Sequence, residues 1–111
     1  MKEIYKKVKS LGALERTSRG FEIIAFEDRY GVGCSLQMSS LAENEKPGTS
    51  AIWLGCNNAN PRVLVPEKSW QPVPMPDDYI ADTRMHLNRS QVAALIVHLQ
   101  NWLDHDSFAD E

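Results

Sequence analysis

The sequence predicts an α+β domain: an antiparallel β-sheet of four to six strands with a C-terminal α-helix packed on one face, and a short N-terminal helix. Three observations carry this. Residues 88–103, NRSQVAALIVHLQNWL, place Val92, Leu95, Ile96, Leu99, Trp102 and Leu103 at helical spacing on one side. The stretches 21–28, 32–40 and 51–56 are short, apolar on at least one alternating face, and bounded by turn residues. With 111 residues, 42% of them hydrophobic and 24% charged, the composition is that of one ordinary folded domain, 1–111.

The helix is the clearest element. Asn88 fits the N-cap, its side-chain oxygen facing the free amide of Gln91 three residues on. Ser90, Gln91, His98 and Gln100 lie towards the other side. Burying its six apolar side chains contributes roughly 9–18 kcal/mol gross, at about 1.5–3 each. Ordering the backbone costs about 1–2 kcal/mol per residue, so the helix has to dock, and Leu95 and Leu99 are expected in the core.

Taken in order, residues 2–11 carry Ile4, Val8 and Leu11 at helical spacing, and Gly12 ends that segment. Residues 13–18 read as a first strand, followed by a turn at Arg19-Gly20. The strand FEIIAFED, 21–28, is apolar on both faces and therefore central. Asp28-Arg29-Tyr30-Gly31 turns the chain, with Gly31 free to take a positive φ. In the returning strand, Val32, Cys34, Leu36 and Met38 alternate with Gly33, Ser35, Gln37 and Ser39. A Pro-Gly loop spans 41–50, and AIWLGC, 51–56, is a short strand whose amides are expected at a sheet edge. Arg62-Val63-Leu64-Val65 reads as another short strand. Residues 66–79 hold four of the six prolines and read as an ordered surface loop, packed down by Trp70 and Met75. The last strand is expected over 80–87.

Charge narrows the function classes. The net charge of −3 lacks the basic surplus of a dedicated nucleic-acid binder. Lys2, Lys6, Lys7 and Lys9 crowd the start, while Asp104, Asp106, Asp110 and Glu111 crowd the end; both clusters read as solvated termini. The start lacks the apolar region and cleavage site of a secretory signal, and no apolar run reaches the length of a membrane span. The expected compartment is a reducing cytoplasm, with Cys34 and Cys56 as small buried hydrophobes.

No catalytic set stands out. A Gly-rich phosphate loop and metal-ligand spacings are missing from the sequence, so no cofactor and no metal are expected. Asp104-His105-Asp106 resembles a metal cluster in composition and reads as a frayed tail beyond the helix. A Cys34/His86 dyad is the one enzymatic option, and it needs neighbouring strands. The more informative set is polar. Ser35, Gln37, Ser39 and Ser40 share a strand face; Arg84 and His86 alternate with Met85 and Leu87; Trp53, Asn57, Asn58, Asn60 and Arg62 gather near one strand end. Hydroxyls, amides, guanidinium and indole on one face suit a phosphate-bearing or nucleotide ligand. The same pattern describes the wet face of an antiparallel sheet. Because the helix is expected over Val32, Cys34, Leu36 and Met38, the binding surface is expected opposite, centred on Ser35, Gln37, Ser39, Arg84 and His86 with Trp53 and Asn57 at the rim.

The runs GFEIIAFEDRYGVGCSLQMSSLA, AIWLG and MHLNRSQVAALIVHLQNWL resemble a family of small proteins, without assigned chemistry, encoded by bacteriophages, prophages and integrative mobile elements. The resemblance covers about half the chain; the loop 41–50 and the Pro-rich segment 66–79 depart from it. It implies a non-enzymatic binding protein that counters host defence, by binding a defence protein or by sequestering a small nucleotide signal. The alternative is a structural or assembly protein acting through homo-oligomerisation. Either way a homodimer or higher homo-oligomer is expected, through a sheet edge or the exposed part of the helix.

The cysteine reading is directly testable. Alkylation under denaturing, non-reducing conditions is expected to add two labels to the intact mass, and zero labels would reveal a disulfide.

Overall fold

A computed structural model describes residues 8–40 and 50–110. The helix expected over 2–11 lies largely outside these, and its described part, 8–11, is not helical. The loop expected over 41–50 is outside them except for Ser50. Among the described residues, seven strands precede one helix: β1 (Leu14–Arg16), β2 (Glu22–Glu27), β3 (Gly33–Met38), β4 (Ala51–Cys56), β5 (Arg62–Val65), β6 (Ser69–Pro72), β7 (Arg84–Asn88) and α1 (Arg89–His105). The main sheet is antiparallel, in the order β1-β2-β3-β4-β7, and β5-β6 form a separate two-stranded hairpin. The fold is α+β.

Turn chemistry sets the first three strands. Gly20, at φ 88°, closes the β1–β2 turn by donating to the Thr17 carbonyl at 2.9 Å. Between β2 and β3, one carboxylate oxygen of Asp28 accepts from the amides of Tyr30 (2.8 Å) and Val32 (3.0 Å), and Gly31 takes φ 83°. β2 then pairs on both sides, so it is an interior strand of the sheet as expected. β4 also pairs on both sides, so the edge expected at 51–56 is instead an interior strand; the edges are β1 and β7.

Segment 66–79 is more structured than its prolines suggest. Lys68 donates to the Val65 carbonyl at 3.0 Å, Glu67 and Ser69 take φ 69° and 70°, and β6 returns along β5. Pro72 is tolerated because it ends a strand at a sheet edge. Trp70 and Met75 do not pack the segment down; both stay exposed. The last strand is shorter than expected, because residues 80–83 are irregular and pairing begins at Arg84.

Helix α1 starts as expected. Asn88 accepts from the Gln91 amide at 2.9 Å while its own amide donates to Gln91 Oε1 at 3.0 Å, a complete capping box. The helix runs to His105, so Asp104 and His105 belong to it. Asp106 adopts the left-handed conformation (φ 58°, ψ 29°) and donates to the Trp102 carbonyl at 3.0 Å. The tail is not frayed: Asn101 Nδ2 donates to the Phe108 carbonyl and to Asp110 Oδ1, both at 3.0 Å.

The packing of α1 differs from expectation. It does not lie across the sheet: its strand contacts are chiefly with β7, Leu95 is only half-buried, and Leu99 is 47% exposed. The reason is the junction. Asn88 is at once the last residue of β7 and the N-cap, so no connecting residue is left to turn the helix back over the face. Connections of this kind usually have about 2–6 residues.

Gly55 sits where β4 meets β7 at φ 148°; a Cβ there would fall 2.6 Å from the Thr83 carbonyl oxygen and 2.9 Å from Arg84 Cα. Gly55→Ala is therefore expected to destabilise by about 1–3 kcal/mol, read as a lower midpoint in a denaturant melt. An unchanged midpoint would mean the β4–β7 pairing is looser than described.

Candidate functional site

Facing residues of an antiparallel ladder share one side of the sheet. Ser35 faces Gly55, which faces Arg84; Gln37 faces Trp53, which faces His86. Two parallel rows of three thus cross β3, β4 and β7. Gly55 has no side chain, so the long arm of Arg84 crosses over β4 to reach β3. Its Nη1 donates to Gln37 Oε1 at 2.8 Å and to Ser35 Oγ at 3.2 Å. Ser35 Oγ donates in turn to Asn57 Oδ1 at 2.7 Å, just past the end of β4. His86 Nε2 lies 3.0 Å from Ser39 Oγ, and its ring stacks on Trp53 with centroids 4.0 Å apart and planes 21° apart. The Arg84 guanidinium carbon stands 5.6 Å from the Trp53 ring centroid.

All seven expected residues, Ser35, Gln37, Ser39, Trp53, Asn57, Arg84 and His86, therefore meet in one network. Their roles differ from a uniform wet face. Ser35 and Ser39 are 2% and 0% exposed, whereas His86 and Asn57 are exposed and Gln37, Trp53 and Arg84 half-buried. The serines form a floor, and the larger polar and aromatic groups stand over it. Ser40, Asn58, Asn60 and Arg62 make no hydrogen bond into this network, and Arg62 belongs to the separate β5–β6 hairpin.

A polar pocket of about 210 Å³ opens beside Arg84, lined by Trp53, Asn57, Ala81, Asp82, Thr83 and Arg84. Residues 81–83 were not foreseen here. They read as strand in the sequence, and only the late start of β7 turns them into a pocket wall.

Among the described residues, no carboxylate compensates the charge of Arg84. Its hydrogen-bond partners are neutral. Both bonds use Nη1, which leaves the donors of Nε and Nη2 without acceptors among the described residues. Guanidinium donors in this fork bind phosphate or carboxylate through two parallel bonds. Asp82, on the pocket wall, supplies an acceptor for a donor on the same ligand.

The thiols lie elsewhere. Cys34 faces Cys56 across β3 and β4, sulfur to sulfur 4.0 Å, and both are free. His86 projects from the opposite side of the sheet, and β4 separates its strand from that of Cys34, so the Cys34/His86 dyad does not form. Burial, with smaller contributions from Cys56 and the Asp28 carboxylate, raises the Cys34 thiol above its ordinary range, which suits a packing residue rather than a nucleophile.

The chain matches no protein-family model, no curated protein and no solved structure. No helix among the described residues is long and apolar enough to cross a membrane.

Ser35 is the keystone of the floor, donating to Asn57 and accepting from Arg84. Ser35→Ala is expected to cost about 1–3 kcal/mol, because Arg84 and Asn57 lose a buried partner together. Thermal unfolding would show it; a loss under half a kilocalorie would mean that water replaces the hydroxyl without cost.

Proposed function

We propose that this is a non-enzymatic binding protein whose site takes one end of a small anionic ligand bearing a planar ring, a nucleotide being the chemical class that fits. The observation that carries this is the Arg84 guanidinium, fixed at 2.8 Å on the neutral Gln37 and with no carboxylate partner among the described residues. An aligned, uncompensated cation favours a phosphate, and the adjoining Trp53–His86 stack favours a flat ring. The pocket of about 210 Å³ is smaller than the roughly 300–1,000 Å³ that encloses a whole ligand. It therefore holds a phosphate or a base edge, with the remainder lying along the sheet.

The resemblance to phage and mobile-element proteins supplies the setting: a counter-defence protein in the host cytoplasm. Of its two expected targets, a defence protein or a nucleotide signal, the small polar pocket favours the nucleotide. The protein would act by sequestration, binding without turnover. A second reading, an assembly protein acting through homo-oligomerisation, is favoured by the amount of apolar surface left open on the other side of the sheet.

The test is a thermal-shift and calorimetry panel of mono-, di- and cyclic dinucleotides with inorganic phosphate. A binder at 100 times its dissociation constant adds about 2.7 kcal/mol of stability. Arg84→Ala is expected to abolish binding while unfolding within a few degrees of wild type. Arg84→Lys is expected to weaken binding, since it keeps the charge and loses the planar fork. Absence of any shift at millimolar ligand, or full binding by Arg84→Ala, would defeat the proposal.

A further inference from the structure

The side of the sheet opposite Arg84 carries an apolar row across all five strands: Leu14 faces Ile24, Ile24 faces Leu36, Leu36 faces Leu54 and Leu54 faces Met85. Behind it Met38, Ile52 and Leu87 make a second row. In an isolated domain such a face is its core. Here both ends of the first row are open, with Leu14 61% and Met85 54% exposed. Among the described residues, Cys34 alone is a buried apolar side chain.

The helix has the same deficit. Val92, Ala93 and Ile96 border an open groove of about 400 Å³ whose other wall is Met38, Ile52 and Leu87. Further along, Leu99, Trp102 and Leu103 extend the apolar stripe into solvent. A second groove, of about 190 Å³ between Leu14 and Ile52, continues from the first through Met38 and Ile52.

We infer that a second copy of this chain covers these surfaces, the apolar stripe of each α1 lying in the groove and across the apolar face of its partner's sheet. Three observations select a second copy as the occupant. The first is area. Leu14, Met85, Ile96, Leu99, Trp102 and Leu103, all apolar, are each 47–61% exposed. A standard interface takes about 800 Å² from each partner, and these side chains lie on the two surfaces that supply it.

The second observation is complementarity. A flat apolar sheet calls for a helix, and an apolar helix stripe calls for a sheet. This chain carries both, and the missing linker at Asn88 keeps the one from folding fully onto the other. A two-fold exchange satisfies both surfaces of both copies at once. The third is charge. Neither the rows nor the stripe contains a charged residue, and a net charge of −3 per chain opposes association only weakly.

This interface lies on the opposite side of the sheet from Arg84, so it stands or falls independently of the ligand site. Light scattering across a concentration series of the full chain tests it. The expected mass is twice 12.5 kDa, or a dimer of such dimers, with a melting midpoint that rises with protein concentration. Leu99, already half-exposed within one chain, is the residue to charge: Leu99→Glu is expected to shift the mass towards one chain and lower the midpoint at equal concentration. A monomer with a cooperative, concentration-independent melt overturns the inference, as does a trimer, or a Leu99→Glu variant that keeps the wild-type mass. Should that variant precipitate, the wild-type series alone decides.

Discussion

Residues that face each other in an antiparallel ladder project to the same side, and β4 is paired on both of its edges. Its register against β3 and β7 therefore assigns every side chain in the middle of the sheet. With Gly55 between Ser35 and Arg84, and Trp53 between Gln37 and His86, one side collects hydrogen-bonding groups. With Leu54 between Leu36 and Met85, the other collects aliphatic ones. A slip of one residue would exchange the two sides. Gly55 serves twice: it permits the close approach of Thr83 and Arg84, and it clears the path of the arginine across the strand.

The two sides differ in how far they satisfy themselves. On the polar side, short serines sit against the sheet and longer groups reach over them, so that Ser35 and Ser39 are more buried than any leucine described. No buried side-chain nitrogen or oxygen among the described residues lacks a hydrogen-bond partner. On that side His86 and Asn57 are exposed, and Gln37, Trp53 and Arg84 are half-buried over the serine floor. On the apolar side, burial is the dominant source of stabilisation and is left incomplete. The sheet covers much of its polar face with its own side chains and leaves its apolar face open.

The junction at Asn88 links these properties. One residue ends β7, caps α1 and holds Gln91 in a reciprocal pair of hydrogen bonds. The capping box fixes the exit direction of the helix at the edge of the sheet. A longer connection would let α1 fold back and close the core within one chain. The direct connection holds it beside β7, which creates the groove between Met38 and Ile96.

Much of this was legible in the sequence, because it depends on local chemistry. The period of the apolar residues in 88–103, the Asn88–Gln91 pair, the Asp28–Gly31 turn and the alternation in 32–39 determined the helix, its cap, a hairpin and the two faces of β3. The alternation of Arg84 and His86 with Met85 and Leu87 placed them on one face as well, so the residues that share the network on that face could be named. The tertiary structure decided what depends on distant pairing. It put β4 in the interior, where its sequence reads as an edge; it made a hairpin of 62–72, through positive φ at Glu67 and Ser69 that no glycine announces; and it began β7 at Arg84, turning 81–83 into a pocket wall. Above all it decided where α1 goes. Its apolar stripe states that the helix must be covered, but a periodicity carries no record of which surface covers it. That depends on the length and direction of the connection at Asn88, and those exist only once the strand and the helix are both formed.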